Sequence, residues 1–189
     1  NNLAIRGVVD AAKGRHVVIT AVEHSAVLNP AKRVASLGYE VTVLSVDRGG
    51  RLNMDELRDS LRDDTALVSV MFANNETGVI FPIDRIAEIV HARGVPLHVD
   101  AVQAVGKVPI DLKTLGADLV SISAHKFHGP KGVGALVVRK GTKWTPVFLG
   151  GGQERNRRPG TENVAGIVGI AGAWDFPESP LPRLPTPRG

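Results

Sequence analysis

The segment DLVSISAHKFHGPKGVGALVVR, residues 118–139, contains two apolar runs joined by a loop that leaves no room for a helix. The loop holds Gly129, Pro130, Gly132 and Gly134. Glycine adopts backbone conformations, and allows close backbone contacts, that other residues do not. We therefore expect the chain to turn back here, so that the second run pairs antiparallel with the first or lies elsewhere in the sheet.

The rest of the chain alternates between short apolar runs and helix-like segments. The runs are rich in valine and isoleucine and are bounded by turn residues, which is typical of buried strands. Strands that alternate with helices pair in parallel through right-handed crossovers, so the pattern predicts an α/β fold with a mostly parallel sheet and helices on both faces. The predicted strands are HVVIT (16–20), VTVLSV (41–46), ALVSVMF (66–72), PLHV (96–99), DLVSIS (118–123) and GALVVR (134–139).

Two segments carry the apolar periodicity of surface helices. Residues 53–61 place three apolar side chains on one face, and Asn53 and Glu56 have the spacing of a capping box. Residues 82–94 have a clearer apolar stripe and end at Gly94, where left-handed backbone can stop a helix. Both segments are predicted to be helices.

A third helix is predicted to begin at Asn29 and Pro30 and to end at Gly38. Asparagine favours the position that caps a helix, and proline fits the first helical turn. Residues 25–28 are therefore expected to form a separate turn.

Composition narrows the possible classes of protein. Apolar residues make up 43% and charged residues 22% of the 189, and no run approaches the roughly 18 apolar residues that cross a bilayer. The net charge of +4 is scattered, and only 4% of residues are aromatic, which disfavours nucleic-acid binding. The absence of cysteine excludes disulfides, thiolate metal sites and a cysteine nucleophile within this chain.

The chain is expected to form one domain over residues 1–174, followed by a disordered tail over residues 175–189. The tail, DFPESPLPRLPTPRG, is rich in proline, which forbids a helix. No signal peptide precedes the domain, so a cytoplasmic location is predicted. The first residue is Asn1 rather than methionine, which suggests that upstream residues are missing.

Polar groups follow four of the predicted strands. In an open α/β sheet, ligands bind beyond the carboxyl ends of the strands, where loops and helix amino termini converge. Each residue alone has an ordinary structural explanation, such as a helix cap or a solvated surface lysine, but their joint placement indicates a site. The residues are Glu23 and His24, then Asn74, Asn75 and Glu76, then Asp100 and Gln103, and finally Ser123, His125 and Lys126.

Three chemistries compete for this edge of the sheet. A metal site could use His98, Asp100, His125 and His128, but these residues lack tight ligand spacing, so no metal is predicted. A nucleotide phosphate loop would need GxxxxGK followed by serine or threonine, and the glycine-rich segments do not match it. The third is a lysine amine that holds pyridoxal phosphate, with an acid for the pyridine nitrogen, a stacking ring and small phosphate donors. All of its parts are present.

Together these motifs resemble the cysteine desulfurases of the NifS and IscS type, in the class V aminotransferase family and close to selenocysteine lyase. The resemblance covers residues 1–174 and implies the core of the large domain of the type I aminotransferase fold, assembled as a homodimer. The motifs, in order, are EHSAVL, NNETG, HVDAVQ, SAHKFHGPKGVGAL and GGGQERNRRPGTEN.

The resemblance also implies a role for each site residue. Lys126 would form the internal aldimine with pyridoxal 5'-phosphate and later remove the substrate's Cα proton, and His24 would stack on the cofactor ring. The remaining implied contacts are Asp100 with the pyridine nitrogen, Gln103 and Asn75 with the phenolic oxygen and substrate, Ser123 and His125 with the phosphate, and Thr161 with the phosphate in the partner subunit.

The implied reaction converts L-cysteine to L-alanine and leaves persulfide sulfur for iron-sulfur cluster assembly on an acceptor scaffold protein. The sequence departs from the family in three places: the Gly-Ala-Thr segment before Asn1 is absent, the small domain with the nucleophilic cysteine and an arginine is absent, and the tail matches nothing in the family. The alternatives are a selenocysteine lyase or a noncatalytic truncated fragment.

Overall fold

Six strands form one sheet in the computed structural model, which describes residues 1–174. The strand order is β2-β1-β3-β4-β5-β6, and all neighbouring pairs are parallel except β5 with β6. The predicted α/β fold is confirmed, and β6 takes the antiparallel arrangement. The strands are β1 (His16–Thr20), β2 (Glu40–Leu44), β3 (Thr65–Met71), β4 (Leu97–Asp100), β5 (Leu119–Ser123) and β6 (Gly134–Val138).

Helices cover both faces of the sheet, as predicted. Leu57 and Ile86 belong to a buried apolar cluster on one face, while Ile5 and Val34 belong to a second cluster on the other. The helices are α1 (Asn2–Ala11), α2 (Ser25–Ala35), α3 (Met54–Ser60), α4 (Ile83–His91), α5 (Gln153–Asn156) and α6 (Val164–Trp174). None of the helices formed by residues 1–174 is long and apolar enough to cross a membrane.

Helix α2 corrects one prediction, because it begins at Ser25 and not at Asn29. His24 caps it: His24 Nδ1 accepts a hydrogen bond from the Ala26 N–H at 3.1 Å. Pro30 therefore lies in the second turn, where its missing N–H leaves the Ala26 carbonyl without its usual helical partner. Pro30 is buried.

The residues predicted to begin α3 and to end α4 do so in the structure. Asn53 Oδ1 accepts from the N–H groups of Asp55 and Glu56 and caps α3. The reciprocal half of the predicted capping box is not formed, because Glu56 instead accepts from the Ser45 N–H and hydroxyl. Gly94 has a φ of 67°, the left-handed backbone expected after α4.

The edge strands β2 and β6 are only partly buried, contrary to the sequence-based expectation. Val43 in β2 is 51% exposed and Val137 in β6 is 36% exposed. Their apolar composition resembles that of the central strands, but each has a neighbour on one side only. The predicted tail, residues 175–189, lies outside the described residues.

The glycine-rich loop turns the chain back as predicted. Gly132 has a φ of 80°, a conformation that favours glycine. A Cβ atom on Gly134 would lie 2.6 Å from the carbonyl oxygen of Ile122, and one on Gly129 would lie 2.8 Å from Ala124 Cβ. These contacts allow β6 to pair with β5 from Gly134 onward.

Candidate active site

A cavity of about 590 Å³ opens at the carboxyl edge of the sheet, where β3, β4 and β5 end. Its volume is within the range of small-molecule sites, about 300 to 1,000 Å³. The structure therefore has a cavity at the sheet edge where the sequence predicted a site. Seven of the predicted site residues line it: His24, Asn75, Asp100, Gln103, Ser123, His125 and Lys126.

Lys126 is held by a short 3₁₀ turn, Ala124–Lys126, that follows β5 directly. The buried residues Ala124 and Phe127 flank the exposed lysine. The Ala124 carbonyl accepts from the N–H groups of Phe127 and Gly129 at 3.0 and 2.9 Å. The turn is thus anchored through its backbone, while the amine remains free to reach the cavity.

Ser123 and His125 form a pair of polar side chains beside Lys126. Ser123 Oγ and His125 Nδ1 are 2.9 Å apart. A hydroxyl and an imidazole are suitable donors to an oxyanion, and donors held in place bind a phosphate better than mobile ones.

Asp100 places a buried carboxylate at the end of β4, with only 6% of its surface exposed. Its Oδ1 accepts from the Val102 N–H at 3.0 Å, and its Oδ2 accepts from Asn1 Nδ2 at 2.6 Å. Both donors are neutral. The two hydrogen bonds therefore hold the carboxyl group in a fixed orientation at the edge of the cavity.

His24 lines the cavity with a ring whose orientation is set by its capping bond. Because Nδ1 accepts from Ala26, the proton of the neutral ring is on Nε2. Asn75 is exposed in the turn after β3, whereas Asn74 has a structural role. Asn74 Oδ1 accepts from the N–H groups of Glu76 and Thr77 and holds that turn.

Lys107 is a residue that the strand-end reasoning missed. Its Nζ donates to Gln103 Oε1 at 2.6 Å, which orients the amide of a predicted site residue. Burial, and then the nearby charge of Lys126, lower the pKa of Lys107 below its ordinary value. Lys107 lies four residues after Gln103, and side chains at this spacing meet when the backbone between them is helical. The sequence analysis did not predict a helical turn there, so the contact was missed.

Four predicted residues do not line this cavity: Glu23, Asn74, Glu76 and Thr161. Thr161 is exposed and does not line the cavity of its own chain. Glu23 is buried beneath the loop that carries His24.

The metal alternative finds no support within residues 1–174, where no group of three or more possible ligands is placed to hold an ion. His98 Nδ1 and Nε2 lie 2.8 Å from the hydroxyls of Ser69 and Ser121 respectively, so both ring nitrogens are occupied. Burial lowers the pKa of His98 to about 3, which keeps the ring neutral. His98 therefore links three strands instead of binding a ligand.

Comparison with known proteins gives consistent results. The sequence pattern of the aminotransferase class-V family matches residues 1–179. A cysteine desulfurase from Nostoc sp. is 54% identical over 177 residues, covering 93% of this chain and 44% of the relative. The cysteine desulfurase IscS of Dictyoglomus turgidum is 53% identical over 178 residues, covering 93% of this chain and 45% of the relative. A solved structure described as a NifS-like protein has a TM-score of 0.89 and 44% identity, covering 92% of this chain and 49% of that one.

These matches have two consequences for the extent of the similarity. The chain spans about half the length of the curated relatives it matches. The family match continues past Trp174 to residue 179, so the expectation that the tail matches nothing in the family is wrong for its first residues.

Proposed function

The chain belongs to the aminotransferase class-V family, and from that membership we propose that it is the cofactor-binding core of a pyridoxal-phosphate-dependent cysteine desulfurase. The observation that carries this proposal is the convergence of an amine, a buried carboxylate and a hydroxyl–imidazole pair on one cavity. These groups belong to Lys126, Asp100, Ser123 and His125.

The donor set of the cavity fits pyridoxal 5'-phosphate. The cofactor has an aldehyde that an amine can bind, a pyridine nitrogen that a carboxylate can keep protonated, and a phosphate that accepts hydrogen bonds. The cavity offers one residue or pair of each kind. When bound, the cofactor would supply the electron sink that makes a substrate Cα proton acidic.

Each polar residue has a role that its geometry supports. Lys126 Nζ would attach the cofactor and, once displaced by the substrate amine, would take the Cα proton. Asp100 would stabilise the protonated ring nitrogen from its buried position. His24 would cover one face of the ring. Gln103, whose carbonyl is occupied by Lys107, would present its amide N–H groups to the phenolic oxygen, with Asn75 nearby on the substrate side.

None of the 189 residues can provide the sulfur-accepting thiol, since they contain no cysteine. L-cysteine would be the substrate, in line with the names of the desulfurase relatives. Its sulfur would pass to that thiol as a persulfide, and L-alanine would be the other product. Those names favour cysteine over selenocysteine. Delivery of the sulfur to a scaffold for iron-sulfur assembly, in the cytoplasm, completes the proposal.

A homodimer is part of the same proposal. Thr161 lies outside its own chain's cavity, so its proposed contact with phosphate would be made in the partner's site. Exposed apolar side chains are available for such a contact: Leu149 is 93% exposed, and Val164 and Val168 on α6 are 67% and 64% exposed.

The proposal can be tested by titrating the purified protein with pyridoxal phosphate and following its absorption spectrum. We expect a protein-bound spectrum that is lost in Lys126→Ala and retained in Lys131→Ala. Lys131 is a matched control because it is an exposed lysine of the same loop that does not line the cavity. Equal loss in both variants, or retention in both, would contradict the proposal.

A further inference from the structure

Glu23 is a buried acid in the loop between β1 and α2, directly before His24. Only 5% of its surface is exposed. Its Oε1 accepts two hydrogen bonds, one from the Thr20 hydroxyl and one from the Met71 N–H, both at 2.8 Å. The side chain therefore ties its own loop to the ends of β1 and β3.

The second carboxyl oxygen, Oε2, is buried and has no hydrogen-bond partner. Within residues 1–174 no lysine, arginine or histidine pairs with Glu23. An ionised carboxylate in this position would be buried without compensation, at a large cost in free energy. A neutral carboxylic acid avoids that cost. Its carbonyl oxygen would be Oε1, which accepts the hydrogen bonds from Thr20 and Met71. Its hydroxyl oxygen would be Oε2.

The electrostatic surroundings point the same way. Burial raises the pKa of Glu23 to about 8, the two hydrogen bonds oppose this, and the charge of Asp100 adds to the rise. Asp100 is the one charged group that acts on Glu23 among the described residues, since the contacts from β1 and β3 come from a hydroxyl and a backbone N–H.

The contacts of Glu23 place it next to the two cofactor-facing groups of this edge. Met71, whose N–H it holds, is paired with Asp100 across β3 and β4. His24 is its neighbour in sequence and caps α2. A second bond, from Asn74 Nδ2 to the Val22 carbonyl at 3.2 Å, fixes the same loop to the turn after β3.

We propose that Glu23 is a positioning residue that works as a neutral carboxylic acid, holding the His24 loop against β3 and keeping a second negative charge away from Asp100. The roles of His24 and Asp100 in this inference rest on the proposed function. The neutral state of Glu23 itself does not, because it follows from burial and hydrogen bonding alone.

Ionisation of Glu23 would place an unpaired charge beneath the site. The loop would then loosen, and the new charge would repel the carboxylate of Asp100, the group proposed to hold the cofactor's ring nitrogen. Part of the fall in cofactor affinity as the pH rises through about 8 would therefore come from Glu23.

The test compares Glu23→Gln with Glu23→Ala, and with Glu88→Gln as a control at an exposed position on α4. Glutamine is neutral, has nearly the shape of the protonated acid and can accept both hydrogen bonds. We expect Glu23→Gln to bind pyridoxal phosphate at pH 7 as the unmodified protein does and to show a smaller alkaline loss of affinity. Glu23→Ala should bind about tenfold more weakly than the unmodified protein at pH 7, because two hydrogen bonds are lost, and this difference should shrink above pH 8, where Glu23 ionises and alanine cannot.

A second measurement does not depend on the cofactor. Infrared difference spectra at pH 7 should show the carbonyl stretch of a buried carboxylic acid, which Glu23→Gln removes and Glu88→Gln leaves. Absence of that band, or a Glu23→Gln variant as weak as Glu23→Ala at pH 7, would overturn the inference. If the unmodified protein does not bind the cofactor but the band is present, the proposed function fails and the neutral acid stands.

Discussion

Ser123 Oγ and His125 Nδ1 lie 2.9 Å apart, on either side of the buried Ala124 and next to the exposed Lys126. The backbone of Lys126 and of the adjacent donor pair is therefore positioned by the end of β5 and the short turn that follows it. A ligand whose aldehyde reacts with the amine must place its anionic group within reach of the same turn. This relationship allows the phosphate role to be tested separately from the rest of the site.

Replacing Ser123 with alanine removes one donor of the pair, so affinity for pyridoxal phosphate should fall about tenfold. Affinity for pyridoxal, which lacks the phosphate, should change little. Equilibrium titration of both compounds by fluorescence measures the difference. An equal loss for the two compounds would mean that Ser123 does not contact the phosphate.

Asp100→Asn keeps the shape of the side chain but removes its charge. The ring nitrogen would lose the partner that keeps it protonated, so exchange of the substrate's Cα proton with deuterated water should slow by about 100-fold or more. Exchange can be followed by nuclear magnetic resonance with L-cysteine or the product L-alanine. Unchanged exchange at saturating cofactor would show that Asp100 serves only in hydrogen bonding to Val102 and Asn1.

His98 should make stability fall in acid. Its pKa is about 3 in the folded chain and near 6.5 when unfolded, so the unfolded state binds the proton first as the pH drops below 6.5. At pH 5 this costs about 2 kcal/mol relative to pH 8. Glu23 acts oppositely, because its raised pKa makes the fold lose stability as the pH rises from about 4.5 toward 8.

Urea unfolding of the unmodified protein and His98→Gln at several pH values separates the two effects. The stability difference between the two proteins should shrink as the pH falls from 7 to 5, because glutamine does not titrate. A constant difference over this range would show that His98 is not the neutral, buried group described above.

Gly134→Ala should destabilise the fold by about 1 to 3 kcal/mol, because its Cβ would meet the Ile122 carbonyl oxygen at 2.6 Å. Gly172→Ala is the matched control: a Cβ there has nothing within 4 Å, and alanine favours a helix. Thermal unfolding measures both variants. Equal stability of the two would indicate that the β5–β6 turn can accommodate a side chain.

The sequence predicted the sheet well because central parallel strands are buried on both faces and therefore appear as continuous apolar runs. Three helices were missed: α1, α5 and α6. Helix α6, VAGIVGIAGAW, is apolar almost throughout and so has no stripe. Helix α1 has no side-chain cap to mark its start, and α5 is a single turn of four residues. The start of α2 was misplaced because Pro30 fits a first helical turn, whereas the His24 cap shows only once the fold is known.

The candidate site was predicted from a rule about strand ends and from motif resemblance, and seven side chains indeed share one cavity. The roles of those residues remain predictions. Glu23 was noted in the sequence, but its burial and its unpaired Oε2 were not predicted. Both depend on the packing of β1 against β3, which no local sequence pattern reveals.

The central claim is that the amine of Lys126 binds pyridoxal phosphate covalently. The most direct measurement is to incubate the protein with the cofactor, reduce it with borohydride, digest it and locate the label by mass spectrometry. The account predicts a pyridoxyl group on Lys126 in near-stoichiometric amount. A label on Lys107, on Lys131 or on no lysine would contradict it.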